Sequence, residues 1–356
     1  MAADTKELGQ FLTDVIKGRN GYEIGEPWKY SEDSLTIVVP ISRKDAPDRK
    51  YATLYEEREN VVVEDSGSIS NIQVQNRADH PVFIRTGSIF GGDGKTQERA
   101  AQVSRVFMPG KSTMDVKCVH QSKGISANTA MDYTDLAPNS VTSTLLSTYR
   151  QPESQSYVWN SVRNYTQRSP THRDNTVDDC FSGGAYRSYG RATSFIPAPD
   201  TGGFDSFTGY CNTRTMGTDD LVGHMSSSGI ADAMNDMLNQ VPFFDFQSGA
   251  IIFDPVGIVA MELFDSPMSW EAIKKEVIAR HGDKIKEEQA NHLFEFKPDR
   301  VAPAIEKFVE SLSEFEATVA HEEKGTRTVV VSDEIYVGEY TTLDDDLIHV
   351  MVTKKS

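Results

Sequence analysis

The chain has 356 residues, enough for one large or two ordinary domains, with 38% hydrophobic and 25% charged residues. That composition is expected of a soluble globular protein, and no run approaches the ~18 apolar residues of a membrane-spanning helix. A formal net charge of −17 argues against nonspecific nucleic-acid binding as the main role, because phosphate would be repelled, yet it leaves room for a local cationic pocket.

The N-terminal stretch MAADTKELGQFLTDVIKG lacks the basic region and apolar core of a secretory signal, so a cytoplasmic location is expected. Leu8, Phe11, Leu12, Val15 and Ile16 fall on one face of a short amphipathic helix. Leu35–Ile41 reads as a buried strand, Tyr51–Glu59 as a short helix, and Val61–Val63 opens a strand-rich block that reaches Cys118. Inside that block Ile72 and Val74, then Val82 and Ile84, alternate with a period of two around a turn at Asn76–Pro81. Tyr157–Val162 predicts a helical turn anchored on Trp159.

From Arg163 to Ser228 the chain is rich in Gly, Ser, Thr, Asp, Arg and Tyr and poor in aliphatic residues, so it cannot build its own core. A long irregular insertion is expected there. Tyr186, Arg187, Tyr189 and Arg191 interleave as in surfaces that stack single-stranded nucleic acid, but Asp174, Asp178, Asp179, Asp200 and Asp205 dilute the charge. A solvated or intersubunit loop is the simpler expectation.

Ile230–Leu238 predicts a short helix, and Ala250–Ile252 with Gly257–Met261 a hairpin broken at Asp254-Pro255. Ser269 is placed to cap a helix running to Arg280, with Trp270, Ile273, Val277 and Ile278 at helical spacing. A further helix spans Ala302–Phe315, and TRTVVVS, EIYVGEYTT and LIHVMVT predict three antiparallel strands. The succession specifies a β-rich α+β protein, with mostly antiparallel sheets, peripheral helices and one long irregular insertion. Residues 1–162 and 229–356 are expected to form one α+β domain, interrupted by residues 163–228.

Chemistry concentrates after Ile84. Gly91, Gly92 and Gly94 leave the backbone free to approach a ligand, and Lys95, Gln97, Glu98 and Arg99 set two cations, an amide and a carboxylate beside them. GGDGKT is not a nucleotide-hydrolysing P-loop, which would need its first Gly at position 89, where Ile89 stands. Two readings remain: a Gly-rich hairpin connection with solvated charges, or an anion site made of backbone N–H groups with Lys95 or Arg99. Glu262, at the end of an apolar strand, is an acid or base if desolvated, or else a charge ahead of the next helix. Gln247 and Ser248 either line the same pocket or satisfy hairpin backbone. Cys118, Cys180 and Cys211 show no CxxC spacing and the eight His are scattered, so no metal site is expected. Cys118 and His120 share a strand face, but nothing orients the His as a base. Asp344–Asp346 reads as a solvated turn.

The order of these segments resembles the ARG and rhodanese-phosphatase-superfamily-associated protein domain family. The resemblance begins at Gly25-Glu26-Pro27 and Leu35–Pro40, passes through Thr53–Glu56 and VVVEDSGSISNIQVQNRADHPVFIRTGSIFGG, and reaches Val116–Val119. It resumes at Ser156–Val162, at QSGAIIFDPVGIVAMELFDSP and in the C-terminal hairpins from Gly325, leaving out the insertion. The family pattern Gly-Glu-x-x-x-Gly-x-Lys/Gln-Gln-x-Arg maps onto Gly87, Gly91, Gln97 and Arg99, but Ser88 replaces the acid and the loop is longer. The family's name implies a setting shared with ADP-ribosylglycohydrolase-type proteins, hence a nucleotide or ADP-ribose. The expected function is therefore a ligand-binding or regulatory protein that recognises a nucleotide-like anionic small molecule. A self-assembling, homo-oligomeric or partner-binding structural module is the alternative. Ser88 and the lack of a nucleophile–base pair argue against a hydrolase, which would have to use Glu98 or Glu262. No cofactor is indicated.

Overall fold

The structure, a computed structural model, describes residues 2–29, 36–92, 96–119, 124–133, 145, 155–168, 244–254, 257–280 and 301–355. Helix α1 (Ala2–Ile16) is followed by β1 (Tyr22–Ile24), β2 (Trp28–Lys29), β3 (Ile37–Arg43) and β4 (Ala52–Thr53). Next come β5 (Val61–Asp65), β6 (Asn71–Asn76), β7 (Val82–Ile84), β8 (Ile89–Gly92), β9 (Thr96–Ala101), β10 (Arg105–Phe107), β11 (Gly110–Cys118) and β12 (Ala130–Tyr133). Helix α2 (Gln155–Arg168) precedes β13 (Gln247–Asp254), β14 (Gly257–Phe264) and helix α3 (Pro267–Arg280). Helix α4 (Val301–Ser311) ends in a 3-10 turn, Leu312–Glu314. Four strands close the chain: β15 (Glu316–Glu323), β16 (Thr326–Ser332), β17 (Tyr336–Leu343) and β18 (Asp346–Lys354).

Nine strands form one antiparallel sheet in the order β1-β3-β13-β14-β18-β17-β16-β15, with β2 added on β3. A short ladder, β10-β7-β4, contains the parallel pair β4 with β7. The remaining strands close a barrel, β11-β6-β5-β12-β8-β9. The protein is thus β-rich, mostly antiparallel and α+β, as its alternating segments predict. Among the described residues no helix is long and apolar enough to cross a membrane.

Strand alternation sorts the sheet into two buried faces. Ile251, Phe253, Met261, Leu263, Val350 and Val352 pack against Leu8, Leu12 and Val15 of α1 and Ile305, Phe308 and Val309 of α4. The opposite face presents Ala250 and Phe264 to Phe83, Val106 and, from α3, Trp270, Ile273 and Val277. Strand β7 joins this layer to the barrel: Phe83 faces the sheet, while Val82 and Ile84 belong to the barrel core with Ile72, Val74, Phe90 and Val116. Each such fully buried aliphatic or aromatic side chain contributes ~1.5–3 kcal/mol.

Several expectations need revision. Tyr51–Glu59 is not a helix: after β4, the Glu56 carboxylate accepts both the N–H and the hydroxyl of Thr53, at 2.8 Å each, and Arg49 grips the same carboxylate. That contact is one a helix start would make, but the residues that follow close only separate turns, onto Thr53 C=O and Glu57 C=O. Helix α3 starts at Pro267, and Ser266, not Ser269, caps it through Met268 N–H at 3.3 Å. Helix α2 continues to Arg168, six residues past the predicted helical turn. Strand β15 adds a fourth C-terminal strand in place of three. The predicted helix Ile230–Leu238, the residues 169–228 of the expected insertion, and Pro255 lie outside the described residues.

Candidate functional site

The turn Arg85–Ser88 connects β7 to β8. Its Ser88 N–H donates to Arg85 C=O at 3.2 Å, and Gly87 at φ +76° takes the left-handed third position, which glycine occupies without a Cβ penalty. The turn aims Arg85 across the molecule. Arg85 Nε and Nη2 donate to Glu262 of β14 at 2.5 and 2.8 Å, a two-pronged contact with 1% and 4% side-chain exposure. Arg85 Nη1 also lies 3.6 Å from Glu276 of α3.

Further side chains complete the cluster. His349 of β18 sits 3.1 Å from Glu262 through Nε2, its ring tilted between Phe83 and Phe264, and its Nδ1 has no partner among the described residues. The Tyr133 hydroxyl from β12 donates to Glu276. Arg280 of α3 donates to Thr86 C=O at 2.8 Å and to the Met351 sulfur at 2.9 Å. The polar face of the sheet continues into Glu339 of β17, which accepts from Ser104 N–H at 3.0 Å. Two arginines thus meet two carboxylates inside the junction of barrel, sheet and α3.

Electrostatics separate the two carboxylates. Burial alone would raise Glu262, but Arg85, His349 and Arg280 outweigh it and hold its carboxyl well below the usual range. Burial dominates at Glu276 and raises it, against Arg85 and the Tyr133 hydrogen bond. The Tyr133 phenol is pushed well above its ordinary value by burial and by Glu276. Chemically, the cluster sets a carboxyl lowered by its partners beside one raised by burial, joined by one guanidinium.

The residues singled out in the sequence fall in three places. Gly91, Gly92, Gln97, Glu98 and Arg99 lie on the β8–β9 hairpin, where Gly92 pairs with Thr96 and Phe90 with Arg99. The single Gly91 therefore stands opposite Gln97 and Glu98, a bulge that turns these two out of the ladder: Gln97 N–H reaches Gly124 C=O and Glu98 C=O accepts from Val119 N–H. Arg99 is completely buried in the barrel, with Nη2 3.3 Å from Asp65 and Nη1 3.1 Å from Gln97 C=O. Asp65 also accepts from Thr96 and from the N–H groups of Gly67 and Ser126. Gly94, Lys95 and His120 lie outside the described residues. Gln247 begins β13, and its amide donates to Gly249 C=O at 3.0 Å, so it serves hairpin backbone. Glu262 joins the buried cluster, a place apart from both.

Arg85, Tyr133, Glu276, Arg280 and His349 were not singled out. A usable signal existed for His349 alone: it interrupts the apolar run LIHVMV, where both neighbours, Ile348 and Val350, are buried. Cys118 is buried and its thiol is pushed up to about 11 by burial, which leaves little thiolate to act as a nucleophile.

No curated protein and no solved structure gives a significant match to this chain. A family model does match, over residues 21–353, and so spans the barrel, the sheet and the buried cluster alike. The chain belongs to the ARG and rhodanese-phosphatase-superfamily-associated protein domain family.

Proposed function

We propose that this chain is a ligand-binding or regulatory protein that takes a nucleotide-like anion at the rim of its barrel, on the β8–β9 hairpin. The observation that carries the reading is the bulge at Gly91. A residue without a side chain stands opposite two residues that are turned out of the ladder, the arrangement by which barrels re-aim groups at their rims. Backbone N–H groups and the cation of Lys95 supply anion affinity, and the glycines permit close approach.

Arg99 enters this reading in a changed role. Buried against Asp65, it fixes the base of the hairpin and does not reach a ligand, so it belongs to the frame. Arg99→Ala would strip Asp65 of a partner and lower stability by itself. The informative variant is Lys95→Ala.

A thermal-shift screen with ADP-ribose, NAD, mononucleotides and short RNA tests the proposal. A ligand at 100 times its dissociation constant adds ~2.7 kcal/mol of stability. The expected result is a shift with one nucleotide class that Lys95→Ala abolishes while the unliganded melting temperature stays put. If no anion shifts the wild type, the binding reading falls and the partner-binding module takes its place.

A further inference from the structure

The rim hairpin is held from two sides. Strand β8 enters it from the Arg85–Ser88 turn and is laddered to β12, where Asp132 pairs with Gly91 and Tyr133 with Phe90. Helix α3 grips both routes. Arg280 donates to Thr86 C=O within the entering turn, and Glu276 accepts the Tyr133 hydroxyl from the paired strand. Glu276 and Arg280 are four residues apart, so they share one helix face. A single face of α3 therefore fastens the strand that carries Gly91 and the strand that pairs with it.

We propose that α3 sets the geometry of the anion site, with Tyr133, Glu276 and Arg280 as positioning residues. The inference rests on the rim-binding reading and specifies how that site is regulated. Loosening α3 frees the hairpin, and a ligand that orders the hairpin seats α3 more firmly, because the two effects are one linked equilibrium. The surrounding charges suit the task. Arg85 faces Glu276 from the β7 end, Arg280 from its own helix and Glu262 from the sheet, while the Ser88 side chain bonds the Tyr133 phenol. Every charged group at the contact is thus accompanied, and the Tyr133 hydroxyl is the one link from this cluster into β12 among the hydrogen bonds described.

Hydrogen–deuterium exchange decides the matter without any ligand. Three proteins are compared: wild type, Tyr133→Phe, which keeps the ring and removes the hydroxyl, and Val329→Ala, which loosens the opposite face of the sheet. At denaturant concentrations that match global stability, Tyr133→Phe should raise exchange of amides 88–92 and 96–101 about tenfold over the Val329→Ala control, as expected for loss of one buried hydrogen bond. Equal exchange in the two variants overturns the proposal. Arg280→Lys keeps the charge but cannot span Thr86 C=O and the Met351 sulfur together, and stands in should Tyr133→Phe fail to fold. A second arm adds ADP-ribose: amides 268–280 should gain protection in wild type and lose that gain in Tyr133→Phe. Saturable ADP-ribose binding that leaves α3 exchange unchanged refutes the coupling. Absence of binding by any anion instead refutes the rim-binding reading, and the ligand-free comparison still judges the positioning residues.

Discussion

Glu262 and Glu276 bring the same carboxyl group into opposite conditions a few ångströms apart. Arg85 reaches both, but its two short contacts go to Glu262, which is consequently held charged. Removing one side of that pair leaves a buried charge alone, so Glu262→Gln should cost ~3–5 kcal/mol in urea unfolding, whereas replacing Arg85 and Glu262 together by apolar residues should cost clearly less than the sum. Additive losses would show that the contact contributes nothing of its own. Asp265 offers a pH test. It accepts from the Tyr51 hydroxyl at 2.7 Å, which in turn accepts from Ser269 at 2.9 Å, yet burial lifts its carboxyl from 3.8 to about 6. The folded state therefore binds that proton more tightly than the unfolded chain, and stability falls as pH rises from about 4 to about 6, by ~3 kcal/mol in all. Glu262 acts in the opposite sense and at lower pH, since its stabilisation is lost only as pH falls below its ordinary 4.5. Asp265→Asn should gain on wild type steadily between pH 4 and 6, and parallel curves across that range would refute the assignment. Such residues were hard to single out because a buried charge announces itself only through apolar neighbours, and its partner sits far along the chain: 177 residues separate Arg85 from Glu262.

The hairpin β13–β14 shows what elements impose. The hairpin itself was readable, since both strands are apolar runs broken by an Asp-Pro turn, and its position next to β3 and β18 was not, because pairing partners are set by tertiary packing. Gly249 marks how tightly the hairpin closes: a Cβ there would meet Glu262 C=O at 2.4 Å and Leu263 Cα at 2.9 Å, both backbone atoms that cannot step aside. Gly249→Ala should push β13 off the strand that carries Glu262 and lower unfolding free energy by ~1–3 kcal/mol. An unchanged urea midpoint would show that the strands part without cost. The same limit explains the barrel. The strand of NIQVQN is evident as alternation, whereas TQERAA carries none, and closure needs β11 to pair with β6 at one end and β9 at the other, a double pairing that no local pattern encodes. Tyr51–Glu59 departs from the helix its composition favours because Ala52 and Thr53 pair with β7, and the residues after them close only separate turns onto Thr53 C=O and Glu57 C=O.

At the scale of the whole molecule, the chain returns to its beginning. Strand β3, from residues 37–43, lies between β1 and β13, so residues 247–254 complete a sheet begun more than two hundred positions earlier. Cleavage within residues 169–228 should therefore yield two fragments on a denaturing gel that still elute as one particle by size exclusion. Fragments that separate without denaturant would contradict the shared sheet. The α+β class was legible because it depends on counting alternating segments, whereas the buried cluster was not, because it exists only where three layers meet. Trp270 stands at that meeting, on α3, with 1% of its surface exposed and its indole N–H without a partner among the described residues. Helix α3 thus carries its own fluorophore. In a chain whose Trp28 and Trp159 are replaced by Phe, emission near the blue limit signals a seated helix, a red shift signals a wet one, and no label need be attached to tell them apart.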